Sequence, residues 1–164
     1  MGYELHWKIR VLILLVASFL AIQNGSVALA GSAAFDHREQ FILSEINRIR
    51  AQQGLPQLRP NQRLCTVARR HSSNMAGTGY LSHTDSLGRD FKARLGSIAV
   101  ERYEAGENVA TNNFPDSARV AVQGWCQSPG HLRNILNERF IETGIGVAVS
   151  ADGQVFFTQI FLGK

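Results

Sequence analysis

Apolar side chains recur at helical spacing along most of the chain after residue 35. Ile42, Ile46 and Ile49 fall at positions i, i+4 and i+7, and Gly54 follows them as a stop signal. Further helices are indicated by the same spacing, by capping residues and by glycine stops. The pattern predicts helices at about residues 36–53, 61–76, 91–95 and 116–126, and one that begins at Ser128.

Near the C-terminus the apolar pattern changes to a period of two. The stretches "GIGVAVS" and "VFFTQIF" flank "ADGQ", whose Asp-Gly pair predicts a hairpin turn. In the second strand Val155, Phe157 and Phe161 face one way, and Phe156 and Ile160 face the other. A strand with two apolar faces needs cover on both sides, so we expect a sheet between helical layers. The earlier stretch "EAGENVAT" is either an extended strand or a loop.

The N-terminal segment has the composition of a secretory signal. Basic residues precede an apolar run over residues 11–22, and a small-x-small site at Ala28 and Ala30 follows. The run is short for a membrane span, which needs about 20 residues. We therefore expect residues 1–30 to be a signal peptide cleaved after Ala30, and residues 31–164 to be one secreted or periplasmic domain. An uncleaved membrane anchor is the alternative.

Composition narrows the function classes. The chain has 164 residues, of which 45% are hydrophobic and 18% charged, as in ordinary globular domains. Its net charge of +4 is scattered and forms no basic stripe interleaved with aromatic residues, so we do not expect nucleic-acid binding. Two cysteines, Cys65 and Cys126, pair in a disulfide or remain as buried free thiols.

His131 lies at the start of the last predicted helix. Ser128 can cap that helix and Pro129 suits its first position. The positive end of the helix dipole disfavours a protonated imidazole, so we expect a neutral ring. A neutral imidazole is the form that binds a metal or accepts a proton.

Two other residues join His131 as candidates for chemistry. His83 lies in a predicted loop, and Glu107 follows Gly106, where the backbone can turn sharply. Two histidines and a carboxylate with an open fourth position form a recognised zinc set. Glu107 lies 24 positions after His83, and His131 lies 24 positions after Glu107. No local metal motif has that spacing. Purely structural roles therefore stay open for each of them.

Seven stretches, taken together, resemble the CAP superfamily, also called the SCP domain, in its compact bacterial branch. The superfamily comprises the cysteine-rich secretory proteins, antigen 5 and the pathogenesis-related 1 proteins. The stretches fall in the family's order over nearly all of residues 35–164. They are "EINRIRAQQGLPQL", "ARRHSSNMA", "LSHTD", "AGENVA", "GWCQSPGHLRNIL", "FIETGIGVA" and "FFTQIF".

The resemblance implies an α+β fold, a three-layer α-β-α sandwich with a mainly antiparallel central sheet. It also implies a cleft that two histidines and two glutamates line in animal and plant members. Through the matching stretches, three of these roles fall on His83, Glu107 and His131. The position of the second glutamate holds Ser128, so this cleft has one carboxylate fewer.

Two further residues match positions of the bacterial branch. Glu142 in "FIETGIG" is either a cleft carboxylate or a cap of its strand. His71 lies on the apolar face of a predicted helix and is either a core histidine with one hydrogen-bond partner or a site residue.

These residues favour a monomeric binding module for a divalent cation, such as zinc, or for a small ligand. No G-x-S-x-G motif or other activated nucleophile is present, so catalysis is not predicted. One alternative is a metal-assisted hydrolase that uses the same cleft, with Glu142 or a water as base. A second alternative, lipid or sterol binding, rests on the resemblance alone. We expect membrane association only through an uncleaved signal.

Overall fold

The computed structural model describes residues 36–96 and 104–163, which all belong to one compact unit, Ala34–Lys164. The predicted signal peptide and its cleavage after Ala30 lie outside the described residues and stay predictions. Within residues 36–96 and 104–163, no helix has both the length and the apolar character that a membrane crossing requires.

The predicted helices and the C-terminal hairpin are confirmed, and "EAGENVAT" forms a strand. Asp36 and Asn61 cap the first two long helices through their side chains. A two-residue strand at Arg59 carries no apolar pattern and was not predicted. The elements are α1 (His37–Gln52), β1 (Arg59–Pro60), α2 (Gln62–Thr78), α3 (Phe91–Leu95), β2 (Glu104–Asn112), α4 (Ser117–Gln127), α5 (Pro129–Ile135), β3 (Phe140–Val149) and β4 (Val155–Gly163).

The described strands form one sheet in the order β1-β3-β4-β2. The β3–β4 and β2–β4 pairs are antiparallel, and the short β1 is parallel to β3. The sheet is therefore mainly antiparallel, as expected. Glu107 lies opposite Ile160 in the β2–β4 ladder, which places the candidate carboxylate on a strand at the end of the sheet.

Alternation along β4 divides the core into two layers. Phe157 and Phe161 belong to an apolar cluster with residues from α1 and α4. Phe156 and Ile160 point to the opposite face and pack with residues from α2. Helices thus cover both faces of the sheet, and the predicted sandwich is confirmed.

Two glycines of β3 bring α2 into direct contact with the sheet. A Cβ atom at Gly144 would lie 2.2 Å from the carbonyl carbon of Leu64. A Cβ atom at Gly146 would lie 2.1 Å from the backbone nitrogen of Arg69. Because backbone atoms fill the space, any side chain at either position would push the helix away from the strand.

The cysteines are free thiols, and the disulfide alternative is not realised. Cys65 lies on α2, and Cys126 lies on α4 against the apolar cluster of the opposite sheet face. The sheet separates the two helices, which no cysteine bridge can span. Burial raises the pKa of both thiols, so neither is activated.

Candidate functional site

His83, Glu107 and His131 come together from three separate segments. His83 lies in the loop between α2 and α3, Glu107 in β2 and His131 in α5. The Nδ1 atom of His83 lies 2.9 Å from Oε1 of Glu107. The ring centroids of His83 and His131 are 6.4 Å apart, with an angle of 44° between the ring planes. The three residues thus lie together at the β2 edge of the sheet, and we call the space beside their side chains the candidate cleft.

The contact with Glu107 fixes which nitrogen of His83 carries the proton. An ionised carboxylate only accepts hydrogen bonds, so Nδ1–H is the donor. The lone pair of a neutral His83 ring is then on Nε2. The Glu107 side chain is 1% exposed and that of His83 is 55% exposed, so the imidazole projects from a buried anchor into the open cleft.

A buried arginine that the sequence analysis did not single out completes the anchor. Nη2 of Arg94 donates to Oε2 of Glu107 at 2.5 Å. The Arg94 side chain is only 5% exposed. Arg94 lies on the short helix α3 and nothing in its local sequence separates it from the other arginines, so sequence reasoning had no signal for its role.

His71 supports the same loop from the other side. Its Nε2 atom lies 2.8 Å from the main-chain oxygen of Ser82, next to His83, so Nε2–H is the donor. The buried Nδ1 atom has no partner among the described residues. Burial lowers the pKa of His71, and the positive charge of Arg94 lowers it further. This geometry matches a core histidine with one hydrogen-bond partner.

The pKa of His131 is lowered, which favours the neutral ring that the sequence predicts. Burial lowers its pKa first, and repulsion from His83 adds to the effect. Ser128 occupies the N-cap position, and its main-chain oxygen accepts from the N–H of Leu132. Ser128 is thus the N-cap residue, as expected, but its side chain makes no capping hydrogen bond.

Glu142 lies elsewhere on the sheet. Its Oε2 atom accepts from Nδ2 of Asn61, the N-cap of α2, at 2.9 Å. Its residue partner in the β1–β3 ladder is Arg59. Since β4 lies between β3 and β2, Glu142 belongs to the end of the sheet opposite Glu107. Its contacts are those of a structural residue at a helix start.

An apolar groove adjoins the cleft. It has a volume of about 320 Å³ and runs between β2 and α4 towards Ser128 and His131. This volume falls at the lower end of small-ligand pockets, about 300–1,000 Å³. Its lining comprises Leu81, Val109, Ala110, Thr111, Asn112, Val120, Ala121, Gly124, Trp125, Ser128 and His131.

The residues fit a metal ion only in part. Among the described residues, no group of three His, Cys, Asp or Glu side chains is placed to hold a metal. Both oxygens of Glu107 are already engaged, by His83 and Arg94. Two imidazoles that share zinc through Zn–N bonds of about 2.0–2.1 Å have centroids about 5 Å apart at a tetrahedral angle. The observed 6.4 Å is longer than this, so the two rings would have to approach one another to share an ion.

A helix-covered, mainly antiparallel sheet with an imidazole cleft at its edge defines a three-layer α-β-α domain of the CAP type. The chain belongs to the cysteine-rich secretory protein (CAP) family, whose family model matches residues 43–161.

Two curated relatives come from Bacillus subtilis (strain 168). The chain is 36% identical over 126 residues to the uncharacterized membrane protein YlbC, and the match covers 77% of this chain and 34% of YlbC. It is 32% identical over 127 residues to the uncharacterized protein YkwD, covering 77% of this chain and 47% of YkwD. The chain thus spans less than half the length of either relative.

A solved structure is similar to this chain in both fold and sequence. It is an extracellular protein from Bacillus anthracis that contains an SCP domain, and it is 32% identical with a TM-score of 0.65. The match covers 81% of this chain and 45% of that protein. Similar proteins are thus described both as extracellular and as a membrane protein.

Proposed function

We propose that this chain is a secreted or periplasmic binding module whose cleft takes a divalent cation, Zn²⁺, between His83 and His131. The observation that carries the proposal is the Glu107–His83 contact of 2.9 Å, which leaves Nε2 of His83 free as a ligand atom. A carboxylate that accepts the other ring proton orients a metal-binding histidine and makes it more basic. Glu107 would thus orient a ligand and would not be one.

His131 supplies the second ligand atom in this proposal. Its lowered pKa favours the neutral imidazole, the only form that can bind a metal. With two protein ligands, water would complete the coordination. The affinity should therefore be lower than that of a closed site with three or four protein ligands.

One CAP neighbour gives a precedent at the level of the fold. NaASP2, which is 11% identical to this chain with a TM-score of 0.56, has been crystallised with Zn²⁺. At this identity the likeness concerns the fold alone. The support for zinc in this chain is the arrangement of His83, Glu107 and His131.

The first prediction is that Zn²⁺ binds saturably with one ion per chain. Isothermal titration of the purified protein measures it. His83→Ala, His131→Ala and the double variant should abolish the saturable phase, because each removes a ligand atom. His37→Ala is the matched control, since His37 is 81% exposed at the start of α1. Unchanged zinc binding in the double variant would overturn the proposal.

The groove favours a second candidate, a small ligand with an apolar portion. The apolar groove runs from between β2 and α4 to His131, so a ligand could place its apolar part there and its polar end at the imidazoles. Organic-solvent extraction of the purified protein, followed by mass spectrometry, tests the lipid form of this candidate. Absence of any co-purified lipid counts against it.

The hydrolase alternative gains nothing from the geometry. It needs a base beside the metal, and Glu142 binds Asn61 at the other end of the sheet. Glu107 is engaged by His83 and Arg94. A water molecule alone would have to serve, so we propose binding and no catalytic step.

A further inference from the structure

Arg94 makes three hydrogen bonds, two of them to residues of the cleft. Nη2 donates to Oε2 of Glu107. Nη1 donates to the main-chain oxygen of His83 at 2.8 Å and to that of Arg89 at 2.9 Å. A single guanidinium on α3 therefore contacts both the strand that carries the cleft carboxylate and the loop that carries the cleft histidine.

These contacts form a closed ring of hydrogen bonds. Arg94 binds Glu107, Glu107 binds the His83 side chain, and the main chain of His83 binds Arg94 again. Each Glu107 oxygen has its own donor, so the carboxylate cannot rotate without breaking a contact. The ring fixes where the His83 backbone lies and which nitrogen its imidazole turns to the cleft.

Because both side chains are buried, the Glu107 carboxylate needs the Arg94 guanidinium as its charged partner. The two side chains are 5% and 1% exposed, and a buried carboxylate without a charged partner is strongly unfavourable. If Arg94 were absent, Glu107 would have to find another partner or turn towards water. Either response would remove the constraint that Arg94 places on the carboxylate next to His83.

We propose that Arg94 is the positioning residue of the cleft: it locks the Glu107 carboxylate and the His83 main chain together, and so presents Nε2 of His83 to the ligand. The inference rests on the proposed function for what the cleft binds. How the cleft is built rests on the Arg94 contacts themselves.

The guanidinium is suited to this task in a way that an ammonium group is not. Its planar fork offers fixed donors in different directions, whereas lysine has a compact charge on a flexible stem. A lysine at position 94 could neutralise Glu107 but could not also hold the two main-chain oxygens. Arg94→Lys therefore separates the effect of charge from that of geometry.

The test compares Arg94→Met and Arg94→Lys with wild type. Lys92→Met is the matched control, because it removes an exposed positive charge from the same helix. Long-range ¹H–¹⁵N spectra at about pH 8, where ordinary imidazoles are neutral, report the tautomer of His83. Zinc titration reports the cleft. We expect one Nδ1–H tautomer in wild type and Lys92→Met, and a tautomer mixture in both Arg94 variants. Zinc affinity should fall about 10-fold in Arg94→Met, as for other groups that orient metal ligands.

The two readouts distinguish failure of this inference from failure of the proposed function. If wild type binds no zinc but the tautomer changes in the Arg94 variants, the metal proposal fails and the positioning role stands. If both variants keep the wild-type tautomer and zinc affinity, the positioning role is overturned. Should Arg94→Met fail to fold, the result in Arg94→Lys decides between these outcomes.

Discussion

Single buried side chains set the protonation of the cleft region. His71 is 1% exposed, and burial lowers its pKa more than any neighbouring charge does. Of the charged groups around it, Arg94 disfavours the imidazolium, while Glu107 and Asp85 favour it. The balance leaves a neutral histidine in the core, beneath the loop that carries His83.

Acid should therefore destabilise the fold through His71. Its folded-state pKa lies below the unfolded value of about 6.5, so the unfolded chain binds more protons. The stability that depends on neutral His71 is fully present above about pH 6.5 and is lost as pH falls through the folded-state pKa of His71. Urea unfolding at neutral and acidic pH should show this loss in wild type and a smaller loss in His71→Gln. An equal loss in the two proteins would contradict the assignment. Some pH dependence should persist, because the pKa of His131 is also lowered.

Among the elements, α2 and β3 are in direct backbone contact. It depends on Gly144 and Gly146, where a Cβ atom would collide with the helix backbone. Leu64, Ala68 and Met75 of α2 pack with side chains of β4 and β2.

Gly146→Ala should therefore destabilise the protein by about 3 kcal/mol, at the upper end of overpacking costs. Backbone atoms of α2 form the obstacle, and they move less readily than a side chain. Gly124→Ala is the matched control. A Cβ atom there meets nothing within 4 Å, and replacing a helical glycine by alanine should stabilise by about 0.5–1 kcal/mol. Urea unfolding measures both, and similar midpoints for the two variants would contradict the close-packing argument.

The elements were predictable where a pattern is local. Helical periodicity located α1, α2 and α4, and alternation with an Asp-Gly turn located the hairpin. The two-residue β1 was missed because a strand of that length has no period. The closeness of α2 to β3 was also beyond reach, since a glycine in a strand does not reveal which backbone lies against it.

Residue chemistry made single residues candidates for the site, and only the resemblance grouped them in one cleft. The resemblance pointed to His83, Glu107 and His131, and the structure brings these three residues together. The role of Glu107 as an orienting group depends on Arg94, whose contacts form only after folding. The placement of Glu142 likewise follows from the strand order, which no single stretch encodes.

Across the whole molecule, a buried arginine ties together distant parts of a chain whose cysteines are unpaired. Arg50, at the end of α1, is 0% exposed. Burial lowers its pKa, and it is neutralised by no carboxylate among the described residues. Its guanidinium instead donates to the main-chain oxygens of Pro56, Ile135, Asn137 and Phe140.

Arg50→Met should destabilise the fold by about 3 kcal/mol, because each buried carbonyl left unpaired costs about 1 kcal/mol or more. Thermal or urea unfolding measures the change. Arg48→Met is the matched control on the same helix. Arg48 is exposed and, among the described residues, its ion pair is with Glu45, so its loss should change little. Reducing agent should leave the unfolding of every variant unchanged, since both thiols are free. A small effect of Arg50→Met would show that these carbonyls find other partners.

The pairing of β2 with β4 has a consequence for the order in which the cleft can form. Glu107 obtains its place opposite Ile160, in a strand that ends at Gly163. A chain in which β4 has not joined the sheet still contains His83, Arg94, Glu107 and His131. It has no described strand against which β2 can align. Binding at the proposed cleft would therefore require β4 to be in place, and removal of β4 would abolish it without removing any cleft side chain.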